Sequence, residues 1–248
     1  MTADEGSRQV LDDSEVQRAL AVTAHPDDVD FGASGTIAGW TAAGVEVTYC
    51  ICTDGDAGGF DPAVDRAEIP GIRRAEQQAA AAAVGVSDVR FLGYRDGALE
   101  PTQDLRRDIS RVIRQVRPQR MLIQSPERNW ARIGASHPDH LAAGVAAMAA
   151  IYPDARNPFA HPSLLADEEL AEWAAAETWL MAHPDSNHVV DVTDRFDTKL
   201  AALRSHKSQT GHLDDLESRL REWGGINAEA AGLPAGRLAE RFFVVSTA

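Results

Sequence analysis

Short apolar runs alternate with segments of helical periodicity between residues 19 and 150. Runs rich in Val, Ile and Thr predict strands, whereas apolar residues spaced three and four apart predict helices. The predicted strands are 19–23, 46–53, 89–92 and 121–124, and the predicted helices are 35–43, 72–84, 105–116 and 140–150. Strands that alternate with helices indicate a mostly parallel sheet flanked by helices, which is an α/β, Rossmann-like three-layer sandwich.

The rest of the chain is less regular. Helices are predicted over 167–176, 194–208 and 216–223, with Thr193 as the N-cap of the second, and strands over 178–182, 189–192 and 242–245. The sequence shows no internal repeat and no clean linker. We therefore expect a single domain over residues 19–248, preceded by a flexible acidic tail over residues 1–18.

Composition and charge narrow the range of functions. The formal net charge of −14 argues against nucleic acid, whose binding needs clustered Lys and Arg, and against anionic membrane surfaces. No apolar run approaches the ~18 residues of a membrane span, and the N-terminus lacks the apolar centre of a secretory signal. Cys50 and Cys52 lie on one face of a predicted strand, and we expect both to be reduced core residues. A cytoplasmic protein is the default expectation.

The first motif that carries chemistry is Ala24-His25-Pro26-Asp27-Asp28, directly after the first predicted strand. Pro26 restricts His25 to an extended backbone, so the chain leaves the strand before it turns. In the turn that follows, residues three apart can face the same point. His25 and Asp28 are therefore expected to bind one metal ion from one side, while Asp27 points toward the place of a water molecule.

The second motif, Ser136-His137-Pro138-Asp139-His140, follows the fourth predicted strand and opens a helix. Pro138 suits the first turn of that helix, and the helix dipole favours Asp139 there. His137 and His140 lie three apart on neighbouring positions. Because ligands of open α/β sheets bind beyond the carboxyl ends of the strands, we expect both motifs to meet at one site.

Nitrogen and oxygen donors from two separated strand ends are the ligands of a catalytic zinc site, which keeps one position for water. We expect His25, Asp28 and His140 to bind one Zn²⁺ per chain. Imidazole and carboxylate ligands also accept other divalent metals. The predicted reaction is the metal-assisted hydrolysis of an amide or an ester.

The remaining motif residues are expected to move protons and stabilise charge. Asp27 would be the general base toward water and then the general acid toward the leaving nitrogen. His137, held by Asp139, would stabilise the negative oxygen of a tetrahedral intermediate. A dinucleotide-binding loop is disfavoured, because the glycine order G-x-G-x-x-G is absent after the first strand.

The two motifs in combination resemble those of the PIG-L/LmbE-like zinc-dependent de-N-acetylases, which include deacetylases of mycothiol and bacillithiol metabolism. The first motif continues through Gly32-Ala33-Ser34-Gly35-Thr36, where Ala33-Ser34-Gly35 stands in place of the usual glycine pair. Weaker similarities are Thr53-Asp54-Gly55, Arg73-Arg74-Ala75-Glu76, Tyr94-Arg95-Asp96-Gly97 and His206-Lys207-Ser208-Gln209. The resemblance implies that the metal is zinc, that His25, Asp28 and His140 bind it, and that Asp27 is the general base. It adds Arg73 and Asp96 as substrate-binding residues, with a structural salt bridge or a helix cap as the alternative for each.

The resemblance also implies the substrate, an N-acylated amino-sugar conjugate that loses an acetyl or similar acyl group. Ala135 stands where the mycothiol-pathway members are expected to carry a Tyr, which puts the mycothiol precursor in doubt. Two alternatives stay open: an amidase that cleaves a larger thiol- or glyco-conjugate, and a sugar-binding relative without turnover. Asp27 favours an enzyme, because a binder needs no base beside the metal. The sequence does not determine the oligomeric state, and a homo-oligomer is one of the options.

Other histidine and tryptophan residues receive simpler interpretations. His206 and His212 are expected at a solvated helix end, in preference to a secondary metal site. Trp130 lies in a polar loop before the second motif and is expected to line a sugar pocket. Trp179 lies in a predicted strand and is expected in the core.

Overall fold

The structure is a computed structural model and describes residues 10–248. The strands are β1 (Arg18–Thr23), β2 (Glu46–Thr53), β3 (Asp88–Tyr94), β4 (Arg120–Gln124), β5 (Glu177–Met181), β6 (His188–Asp191) and β7 (Ala239–Ser246). The helices are α1 (Asp28–Ala42), α2 (Ile69–Ala83), α3 (Gln103–Val116), α4 (Pro138–Ala149), α5 (Pro162–Ala166), α6 (Phe196–Ser205), α7 (Lys207–Thr210) and α8 (Leu216–Ala230). Within this part of the chain, none of the helices is both long and apolar enough to cross a lipid bilayer.

The strands form a seven-stranded sheet with the order β3-β2-β1-β4-β5-β7-β6 among the described residues. Neighbours from β3 to β5 are parallel, and β7 is antiparallel to both β5 and β6. This mostly parallel sheet flanked by helices confirms the predicted fold class. The winding direction reverses between β1 and β4, which leaves a crevice beyond the carboxyl ends of these two strands. Both motifs begin at that crevice.

The core consists of apolar side chains on both faces of the sheet. Successive residues of β1 alternate between the faces: Leu20 and Val22 pack on the side of α3 and α4, whereas Ala19 and Ala21 pack on the side of α1 and α2. A strand covered on both faces reads as a continuous apolar run, which is why β1 was predictable. Cys50 and Cys52 are buried and unpaired, as expected.

Helix α1 begins at Asp28, well before the predicted start at residue 35. The early part of this helix is rich in residues of low helix propensity, so the sequence pattern did not indicate a helix there. Two of them are required by close packing. A Cβ at Gly32 would lie 2.5 Å from Sδ of Met181, and one at Gly35 would lie 2.8 Å from Cβ of Val192. The glycines therefore let α1 lie directly on the sheet edge.

Two predictions for the second half of the chain are wrong. Residues 167–176 are not helical, because their backbone bonds go elsewhere: Leu170 N–H donates to Leu164 O and Trp173 N–H donates to Ala155 O. Thr193 does not cap a helix with its side chain. Its hydroxyl instead donates to the Asp191 carboxylate at 2.6 Å and accepts the N–H of Leu238 at 2.9 Å.

The predicted flexible tail spanned residues 1–18, and residues 1–9 of it lie outside the described residues. From residue 10 onward the segment packs against the domain. Residues Asp13–Glu15 form a 3₁₀ turn and Val16 is buried. The fully buried Arg120 donates to Leu11 O at 2.7 Å, and Leu11 N–H donates to Glu177 Oε2 at 2.9 Å.

Candidate active site

The first motif forms the turn between β1 and α1. Asp27 has φ of 89°, in the left-handed region that residues other than glycine rarely adopt. The N–H of His25 donates to Oδ2 of Asp28 at 2.7 Å, and Nδ1 of His25 lies 3.4 Å from the same oxygen. The turn thus places the Asp28 carboxylate against the His25 ring, as the spacing of the motif predicted.

The second motif begins α4 at the end of the crevice next to β4. Pro138 lies in the first turn, and Nδ1 of His137 accepts the N–H of Asp139 at 3.2 Å, so His137 is the N-cap. His140 points back toward the first motif, with Nε2 2.9 Å from Oδ1 of Asp28. The Asp28 carboxylate therefore lies between two imidazoles, one from each motif.

Three imidazoles gather at this point. Ring centroids are 5.1 Å apart for His25 and His137, 5.2 Å for His25 and His140, and 5.4 Å for His137 and His140. One nitrogen from each ring lies within 4.8 Å of the others. Imidazole nitrogens beside a carboxylate are the donor set of zinc, so these residues fit a divalent metal. Two groups have ligand atoms that all lie within 4.8 Å of one another: the three imidazoles, and His25 with Asp96 and Asp139. The expected set shares His25 and His140 with the first group and adds Asp28, which contacts both rings.

Asp139 was expected to orient His137, whereas the side-chain contact of its carboxylate is with His25. Oδ2 of Asp139 lies 3.2 Å from Nε2 of His25. The physical reason is that the buried carboxylate also accepts two backbone N–H groups, from Gly97 at 2.7 Å and Leu99 at 3.3 Å. A metal-binding histidine commonly donates its second N–H to a carboxylate, which frees the other nitrogen for the ion. Asp139 occupies that position toward His25.

Asp96 also contacts His25, with Oδ1 3.1 Å from Nε2. Its other oxygen accepts the N–H of Ala57 at 3.2 Å and lies 4.0 Å from Nη1 of Arg73. The carboxylate is thus engaged with the candidate metal ligand and with the 54–58 loop. Its expected role in binding substrate hydroxyls stays a prediction.

Arg73 is buried and holds the turn that carries Asp27. Nη2 donates to Pro26 O at 2.6 Å and to Oδ2 of Asp27 at 3.1 Å, and Nη1 donates to Gly55 O at 3.2 Å. A Cβ at Gly58 would press against Nη1 of Arg73, so glycine lets the loop cross the guanidinium closely. The salt bridge that was the alternative interpretation is present. A direct contact of Arg73 with substrate stays a prediction.

The packed charges shift several pKa values. Burial, with help from Asp28, raises the pKa of Asp27 to about 7, and Arg73 opposes this shift. Burial alone would lower the pKa of His25, but the Asp28 and Asp96 carboxylates outweigh it and raise this pKa to about 11. Burial likewise would raise the pKa of Asp28, but His140 and His25 hold it well below its usual value. A carboxylate with a pKa near neutrality suits a general base.

A cavity of about 760 Å³ opens beside Asp28 and His140. Its far wall is α8, where Trp223 lies under the guanidinium of Arg132 at 4.7 Å from the ring centroid. The expected pocket residue Trp130 is 80% exposed and is not among the lining residues, so that prediction is wrong. Trp179 is buried in the core, as expected. Another cavity of similar size lies between α2 and α6, away from both motifs.

A layer of polar residues that the sequence did not reveal lies beneath the first motif. Gln77, Asp30 and His206 are fully buried and bonded to one another, so the expected solvated helix end at His206 is wrong. Trp223 was also missed as a cavity residue. It ends a predicted helix at an apolar position, a signal that equally fits core packing.

The fold and the donor set together define the type of site. Imidazoles and carboxylates gathered at the switch point of a parallel sheet are typical of metal-dependent hydrolases. Residues 20–151 match the family model described as PIG-L: GlcNAc-PI de-N-acetylase. The chain belongs to this family.

Three similar proteins are all named as deacetylases. The diacetylchitobiose deacetylase of Thermococcus kodakarensis is 32% identical over 79% of this chain and 71% of its own length. A probable N-acetyl-alpha-D-glucosaminyl L-malate deacetylase 2 of Bacillus cereus is 34% identical over 88% and 93%, respectively. The solved N,N'-diacetylchitobiose deacetylase of Pyrococcus horikoshii superposes with a TM-score of 0.84 at 30% identity, covering 93% of this chain and 84% of that chain.

Proposed function

We propose that this chain is a zinc-dependent N-deacetylase that hydrolyses the acetamide of an N-acetylglucosamine-containing conjugate. The observation that carries the proposal is the Asp28 carboxylate between the rings of His25 and His140, with Asp27 held next to them. The relatives named for N-acetylglucosaminyl and diacetylchitobiose substrates support the amino-sugar part of the proposal. A cytoplasmic location and a homo-oligomer stay predictions.

His25, Asp28 and His140 are the proposed metal ligands. When bound, the metal supplies a Lewis acid that polarises a carbonyl and lowers the pKa of water. Asp139 would accept the proton on Nε2 of His25, which leaves Nδ1 for the metal. Its bonds to the N–H groups of Gly97 and Leu99 fix the carboxylate for this purpose.

Asp27 is the proposed proton carrier. Its carboxylate lies beside the ligand Asp28 but is bonded to Arg73, which keeps it off the metal. It would take a proton from the attacking water and later donate that proton to the nitrogen of the leaving amine. The same proton thus leaves the water and arrives on the product, so no outside acid is required.

His137 is the proposed donor to the oxyanion of the tetrahedral intermediate. Its Nδ1 accepts the N–H of Asp139, so the proton of the neutral ring lies on Nε2. Burial, followed by the charges of His25 and His140, lowers the pKa of His137, which favours that neutral form. An N–H donor aimed at developing negative charge typically increases the rate by about 10²- to 10³-fold.

The cavity beside His140 is proposed to hold the part of the substrate beyond the acetylated sugar. A volume of about 760 Å³ is within the range of pockets for small-molecule ligands. Trp223 offers an aromatic ring on the far wall, and sugar rings pack well on such faces. This volume also admits the larger conjugate of the amidase alternative, which uses the same site.

The proposal is tested by acetate release from N-acetylglucosamine, diacetylchitobiose and N-acetylglucosaminyl malate. We expect release from at least one substrate by the zinc-loaded protein, loss after chelation and recovery when zinc is returned. Asp27→Asn should abolish release, whereas Asp61→Asn, at an exposed position, should not. Sugar binding with bound zinc but no acetate from any of these would contradict the proposal and favour the non-catalytic alternative.

A further inference from the structure

The conformation of Asp27 needs external support. Its φ of 89° and ψ of −26° place Asp27 in the left-handed region, which residues other than glycine adopt uncommonly. Such strain persists only where the surroundings hold the residue firmly, and it concentrates at functional sites. The contacts that hold Asp27 are therefore informative about how its carboxylate is aimed.

Helix α2 holds the turn with two residues one turn apart. Arg73 binds the carbonyl before Asp27 and the Asp27 carboxylate. Gln77 lies four positions later on the same face, and its Oε1 accepts the N–H of Asp27 at 2.8 Å. The carbonyl and the N–H of the Pro26–Asp27 peptide, together with the Asp27 side chain, are thus bonded to one helix.

The orientation of the Gln77 amide is fixed from behind by Asp30. Nε2 of Gln77 donates to Oδ2 of Asp30 at 2.8 Å. With the amide turned over, its NH₂ would face the N–H of Asp27, donor against donor. Its oxygen would face the Asp30 carboxylate, acceptor against acceptor, so this orientation is disfavoured. The carboxylate at position 30 therefore keeps an acceptor toward Asp27.

His206, between α6 and α7, is the third residue of this arrangement. Its Nε2 lies 2.8 Å from the same oxygen of Asp30, and all three side chains are fully buried. His206 stands at the corner between α6 and α7. That corner is tied to α2 one residue before Gln77, because Ser208 donates its N–H and its hydroxyl to Glu76 at 2.8 and 2.6 Å.

We infer that Gln77 is a positioning residue which, oriented by Asp30 and His206, holds Asp27 in the left-handed turn that aims its carboxylate. The inference rests on the proposed function for the role of Asp27 as the base. None of the three buried residues is placed on substrate or metal. They act through Asp27, so their loss should slow the chemical step and leave substrate binding nearly unchanged.

Gln77→Met is the direct test, because methionine keeps the buried volume and removes the acceptor. Gln78→Met, on the exposed side of α2, is the matched control. We expect Gln77→Met to lower kcat about 10- to 100-fold, the range that small misplacements of reacting groups produce. KM and zinc content should stay within about twofold, since binding groups are intact. Gln78→Met should match the wild type.

A crystal structure of Gln77→Met gives a readout that is independent of activity. We expect Asp27 to leave the left-handed region and its carboxylate to move away from Arg73. An unchanged turn, or a kcat that falls only in proportion to zinc content or folded fraction, would overturn the inference. Wild-type protein that releases no acetate would contradict the proposed function instead, and the turn geometry would still decide the positioning role.

His206 provides a second pair of variants. His206→Gln keeps an N–H donor near the place of Nε2, whereas His206→Leu removes it. We expect His206→Leu to lower kcat in the manner of Gln77→Met and His206→Gln to recover most of the loss, at equal zinc content. If Gln77→Met does not fold, this pair decides, and equal kcat values for the two His206 variants would overturn the inference.

Discussion

The carboxylate of Asp28 lies 2.9 Å from Nε2 of His140, although one residue begins α1 and the other lies in the first turn of α4. The contact exists because β1 and β4 are neighbours and parallel, so that the segments after them leave the sheet at the same edge. The reversal of strand order at this pair opens the space between them. One carboxylate thus joins two motifs that are far apart in the sequence.

His140→Ala should reduce zinc affinity and deacetylation together. Residues that support the metal ligands typically contribute about 10- to 100-fold in metal affinity. Removal of a ligating imidazole is expected to cost more than that. Zinc content after dialysis, measured by atomic emission, and acetate release on the same samples check this. Unchanged zinc content would remove His140 from the ligand set and leave the three-imidazole alternative without support as well.

Asp139→Asn separates two roles for this carboxylate. If Asp139 orients His25, as its 3.2 Å contact indicates, zinc affinity should fall about 10- to 100-fold. If it orients His137 instead, as first expected from the motif, kcat should fall while zinc affinity stays the same. Calorimetric titration with zinc, followed by steady-state kinetics at saturating zinc, distinguishes the two results.

Arg73→Met separates a salt bridge from a substrate contact. Loss of the guanidinium leaves the Asp27 carboxylate in a buried place without its partner, which typically costs about 3–5 kcal/mol of unfolding free energy. Urea unfolding of Arg73→Met should show that loss, and Arg74→Met on the exposed side should not. A variant of normal stability with a raised KM would instead support the substrate contact that the family resemblance implies.

Trp223→Ala tests the wall of the cavity. We expect it to raise KM for diacetylchitobiose or N-acetylglucosaminyl malate several-fold, on the order of 1 kcal/mol for a lost aromatic contact. N-Acetylglucosamine alone should be affected less, because it lacks the group that would reach α8. Trp130→Ala is the control, since Trp130 is exposed and lies outside the cavity lining. Equal effects on all substrates would contradict this placement.

The sheet and the meeting of the two motifs were predictable because both follow from local patterns. Continuous apolar runs such as that of β1 mark buried strands, and parallel strands bring their carboxyl ends to one edge. The start of α1 was hidden, because its glycines fit contacts with Met181 and Val192 that only the folded chain reveals. Helix α8 was predicted, but too short, at 216–223 instead of Leu216–Ala230.

The arrangement around Asp27 could not be predicted for a different reason. Gln77 lies on α2, Asp30 on α1 and His206 at the corner between α6 and α7, and no sequence spacing relates them. Glutamine in an alanine-rich helix is typical of an exposed position, yet here it is fully buried. Asp139 shows the same limit, because the backbone N–H groups that turn it toward His25 come from a distant loop.

Anomalous diffraction at the zinc edge, on crystals of the zinc-loaded protein, tests the central claim most directly. We expect one peak per chain at about 2.0–2.2 Å from a nitrogen of His25, a nitrogen of His140 and an oxygen of Asp28, the usual zinc distances. The Asp27 carboxylate should stay on Arg73, off the ion. A peak bound by Asp27, or no peak near these residues at saturating zinc, would contradict the account.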